Sequence, residues 1–62
     1  MISEKKALEL LEEEQIPGSA AQREKLYIRI DELVKSNGEA WVRQNRAQLL
    51  REWEYIVRSK IV

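Results

Sequence analysis

The chain contains no cysteine and no histidine, one proline and two glycines. Each shortage closes off a class of function. Without cysteine there is no disulfide and no thiol nucleophile. Without histidine the side chain best suited to acid–base work at neutral pH is missing, and a structural metal loses its usual ligands. Gly18 and Gly38 are isolated from each other, so no glycine-rich phosphate loop can form. No run approaches the ~18 apolar residues of a membrane span. Met1-Ile2-Ser3-Glu4 lacks the basic and apolar regions of a secretory signal and the glycine that myristoylation requires. The expectation is a cytoplasmic protein with no cofactor, no metal and no membrane association.

An excess of one charge is lacking too. Eleven basic residues face eleven acidic ones, so there is no global attraction to nucleic acid or anionic lipid. The distribution is nonetheless uneven. Residues 1–16 carry five Glu against two Lys, a net of −3, whereas residues 39–62 carry five basic against three acidic, a net of +2. The acidic first segment is therefore expected beside the basic last one, within one molecule. Surface pairs of this kind contribute only about 0–1 kcal/mol each, so they bias orientation more than stability.

Sixty-two residues are expected to form one domain, residues 1–62, with a thin core. A chain this short buries only about 60% of its unfolded surface. Below roughly 70–80 residues a single core supplies only a few kcal/mol. With disulfides excluded, self-association is the natural supplement.

What is present reads as helix throughout. Ser3 can cap a first helix, with Glu4 well placed for its dipole. Ala7, Leu8, Leu11 and Gln15 follow at helical spacing. Leu10 sits about 100° away from that face, marking either a broad buried arc or a second contact. Ile16-Pro17-Gly18 stops this helix, because proline disfavours helix in the residue before it. Ser19-Ala20-Ala21-Gln22 fits a capping box that starts a second helix, whose apolar face runs through Leu26, Tyr27, Ile30, Leu33 and Val34. Ser36-Asn37-Gly38 ends it, and Ser36 to Glu39 reads as a second capping box for a third helix.

From Glu39 to Val62 no proline or glycine intervenes, enough for about six continuous turns. Val42, Leu49, Trp53, Ile56, Val57 and Lys60 share one stripe, with Leu50 and Ile61 at its edge. Arg43, Ala47, Arg51 and Arg58 form an opposing row, broken by Glu54. The expected fold is all-α: a three-helix up-down-up bundle of about 13, 18 and 23 residues, with helices two and three forming a tight antiparallel hairpin.

Little in this pattern supports catalysis. Ser3, Ser19, Ser36 and Ser59 suit caps or helix ends, and adjacent Ser59 and Lys60 cannot face one another on a helix. Glu9 and Glu13 are four apart and could share a cation, but helical di-metal sites need Glu-x-x-His pairs as well. The chain is expected to be no enzyme but a small protein-interaction module, with self-association as a homodimer included in that reading. Trp41 and Tyr55, flanking the stripe, and Arg43, Arg51 and Arg58 are the candidate partner contacts, since Trp, Tyr and Arg dominate binding hot spots. Ile28 points away from the apolar face of helix two, and with Leu10 it would form a dimer patch. The alternative is a small DNA-binding regulator that sets the arginine row against phosphates.

Overall fold

The computed structural model describes residues 2–59. These form four helices and no strand: α1 (Glu4–Leu11), α2 (Ala20–Asn37), α3 (Glu39–Gln44) and α4 (Arg46–Ser59). The all-α class holds, and the three-element count does not, because the third segment is broken at Asn45.

Helix α1 begins as expected, with the Ser3 hydroxyl accepting from the Lys6 N–H at 3.2 Å. It ends earlier than Pro17 requires. Glu12 takes a left-handed conformation, φ 56° and ψ 45°. Its N–H donates to the Glu9 carbonyl, and the Glu13 N–H donates to the Leu8 carbonyl, both at 3.1 Å. This is the Schellman pattern, which satisfies the helix's last free carbonyls. Continuing would have placed Glu13 and Glu14 at the negative end of the dipole. Stopping instead lets the connection turn inward and bury Ile16, while Gln15 stays exposed outside any helix.

The capping box of α2 forms in full. Ser19 accepts from the Gln22 N–H at 3.2 Å, and the Gln22 side chain accepts from the Ser19 N–H at 2.8 Å. The second box does not form. Ser36 lies within α2, and Gly38 begins α3 with no side-chain cap. Gly38 adopts φ 91° and ψ 160°, a region open essentially to glycine alone, and makes the one-residue joint between α2 and α3.

At Asn45 the backbone moves to φ −104°, ψ 11°. Its side-chain amide donates to the Trp41 carbonyl at 2.8 Å, and the Arg46 guanidinium takes the Arg43 carbonyl. The Trp41 carbonyl keeps its ladder bond from the Asn45 N–H at 3.0 Å, so the carbonyl that a side chain takes over at the break is that of Arg43, and side chains that take helix carbonyls loosen the ladder. Lys60, Ile61 and Val62 lie outside the described residues.

The core draws on every helix: Ala7, Leu10 and Leu11 from α1, Leu26, Tyr27 and Ile30 from α2, Val42 from α3 and Trp53 from α4, with Ile16 added from the first connection. Helix α1 packs against all three others, whereas α2 and α4 approach each other least of any pair. Leu10 is consequently sealed, with no exposed surface. A helix with three neighbours needs a wide apolar arc, and Leu10 fills the part of it that a single stripe leaves out. The proposed patch of Leu10 with Ile28 therefore does not exist.

Candidate interaction groove between α2 and α4

The loose approach of α2 and α4 leaves a groove of about 320 Å³. One wall is α2, through Lys25, Leu26, Arg29 and Ile30, and the other is α4, through Leu49, Glu52, Trp53 and Ile56. Its floor is apolar. Ile56, expected within the buried stripe, is 51% exposed on the rim, because α4 has no close neighbour on that side. A second cleft of about 180 Å³ continues from it, sharing Arg29, Leu49 and Glu52 and adding Leu33, Trp41 and Gln48. Trp41, half-buried against the core, thus closes one end of a continuous trough and Ile56 the other.

Trp53 is the anchor of the arrangement. The residue is buried, with 7% of its surface exposed, and its indole N–H donates to the Pro17 carbonyl at 2.8 Å across 36 residues. Gly18, at φ +117°, brings its backbone against that ring: a Cβ there would meet Trp53 Cζ2 at 3.4 Å and Gln22 Oε1 at 3.2 Å. The first connection therefore fixes the middle of α4, and with it one wall of the groove.

Charged residues on the α1 side are engaged with one another. Lys6 Nζ lies 3.2 Å from both Glu9 and Glu39, Arg43 reaches Glu9 at 3.0 Å, and Arg46 reaches Glu12 at 3.3 Å. The acidic first segment does lie against the basic later one. The hydrogen bond from Lys6, then that from Arg43, holds the Glu9 carboxyl below the usual carboxylate range. Hydrogen bonds to Glu9 and Glu39 hold the Lys6 ammonium above its ordinary value. Burial, and then a 2.8 Å hydrogen bond donated to Glu4, push the Tyr27 phenol up. Glu13 lies outside α1, so Glu9 and Glu13 no longer share a helix face. Among the described residues no cluster of acidic side chains could hold a metal ion, and no helix is long and apolar enough to cross a membrane.

The candidate contact residues are scattered by the fold. Trp41 lines the trough. Tyr55 is 73% exposed, about one helical turn from Glu52 on the outer side of α4. Arg51 and Arg58 are exposed on the side of α4 away from the groove, Arg43 is tied to Glu9, and Ile28 is exposed on the outer face of α2. Sequence reasoning passed over Lys25, Arg29 and Glu52. The available signal was a charged residue bordering the apolar stripe on each helix: Lys25 and Arg29 four apart on α2, and Glu52 beside Trp53 on α4. No family model, curated protein or solved structure matches this chain.

Proposed function

We propose that the chain is a non-enzymatic protein-interaction module whose docking face is the α2–α4 groove. One observation carries this reading: an apolar trough remains open beside a half-exposed isoleucine, in a domain with little apolar surface to spare. Bundled helices ordinarily close such a gap by packing on one another, so the open trough leaves an apolar face for a partner's surface to cover. Trp53, Leu49 and Ile30 form the floor, while Trp41 and Ile56 stand at the ends as anchors.

The nucleic-acid reading has less support. Arg43 and Arg46 are occupied by Glu9 and Glu12, which leaves Arg51 and Arg58 with Glu54 between them. A photo-crosslinking side chain at position 56 tests the docking face. In the native cell it should give a discrete adduct with one polypeptide, while the same group at Ala47, on the opposite side of α4, should give none. Absence of any adduct from position 56 would overturn the proposal.

A further inference from the structure

We infer that the occupant of the groove is a second copy of this chain, related by a two-fold axis running parallel to the groove. The inference rests on the docking face proposed above and adds the identity of the partner. It follows from how charge is divided between the two walls. The α2 wall carries Lys25 and Arg29, and the α4 wall carries Glu52. Among the described residues neither cation is in a salt bridge, and the one side-chain hydrogen bond to Glu52 comes from the Gln48 amide, at 3.2 Å.

A symmetric pair must lay the same surface against itself, and two orientations bring the grooves face to face. A two-fold across the groove sets α2 against α2, cation on cation, and α4 against α4. A two-fold along the groove sets each α2 wall against the other copy's α4 wall. Lys25 and Arg29 then face Glu52 twice over, and Ile56 of each copy comes down beside Leu26 of the other. Like charges in contact cost several kcal/mol, so the charge pattern selects the second orientation.

Charge reversal read by sedimentation across a concentration series tests this. The wild type should shift from monomer to dimer. Glu52→Arg alone and the double variant Lys25→Glu, Arg29→Glu alone should each self-associate at least about tenfold more weakly. An equimolar mixture of the two should recover the dimer, because both sets of pairs are then opposite in sign. All three positions border solvent, and circular dichroism checks that each variant remains helical. A wild type that stays monomeric at every concentration overturns the self-pairing, as does a mixture that fails to recover the dimer or a set of variants that all still dimerise. An adduct from position 56 to a different polypeptide would overturn the second copy while leaving the docking face standing. No adduct at all would remove both.

Discussion

At Gly18 two demands meet, a left-handed backbone and a 3.2 Å approach of any added Cβ to the Gln22 Oε1 that caps α2. Alanine there should lower stability by about 1–2 kcal/mol, measurable by urea denaturation, while alanine at Gly38 meets no neighbour and suffers from its conformation alone. Trp53→Ala should cost about 3–5 kcal/mol, enough to unfold a domain this small. Trp53→Phe separates packing from the polar link: it leaves the Pro17 carbonyl without its donor and should cost about 1–3 kcal/mol. Glu12 presents the reverse case. It is the one non-glycine residue at positive φ among those described, and left-handed backbone with a side chain costs about 1–2 kcal/mol. Glu12→Gly should therefore raise the denaturation midpoint, by an amount equivalent to about 0.5–1 kcal/mol once the exposed pair with Arg46 is lost. An unchanged or lower midpoint would show that this turn carries no relievable strain.

Among the elements, α2 was the most legible in sequence and α3–α4 the least. Both ends of α2 are set by local chemistry: Ser19 and Gln22 satisfy each other across one turn, and Gly38 follows the last helical residue. The end of α1 is different. Pro17 marks only the last place where the helix could stop, whereas the actual stop at Glu12 depends on burying Ile16 against partners far along the chain. Asn45 escapes a periodicity reading because the break barely disturbs the helical phase, and Val42 and Trp53 still meet in one core. The break should be removable. Arg46→Ala frees the Arg43 carbonyl and Asn45→Ala brings a better helix former to the break, so in the double variant the Cα chemical shifts of residues 45 and 46 should move to helical values, joining α3 to α4. The groove was legible only in pieces. Its apolar residues stood out by spacing, but the gap itself comes from how far apart α2 and α4 run, a distance no single helix encodes.

For the whole molecule, the ionic cluster around α1 makes stability depend on pH from both sides. Glu9 is held below its ordinary value of 4.5. Its contribution is complete above that value in the unfolded chain and disappears as pH falls through the lower folded value. Lys6 and Tyr27 are raised from 10.5 and 10.0. Their contributions are complete below those values and vanish as pH rises through the higher folded ones. Thermal melting should accordingly peak between about pH 5 and 9 and decline on both flanks. In Glu9→Gln the acid flank should flatten, and in Tyr27→Phe the alkaline flank should. Added salt should lower the plateau only slightly, since these pairs are exposed. The contact between Trp53 and Pro17 has a different kind of consequence. Indole protons resonate apart from the amides, and this chain has two of them. The Trp53 proton is held by a carbonyl 36 residues away, while that of Trp41 has no acceptor among the described residues. In deuterated solvent the Trp41 signal should fade first. The Trp53 signal should persist until the first connection lifts off α4, so a single resonance clocks the opening of the molecule.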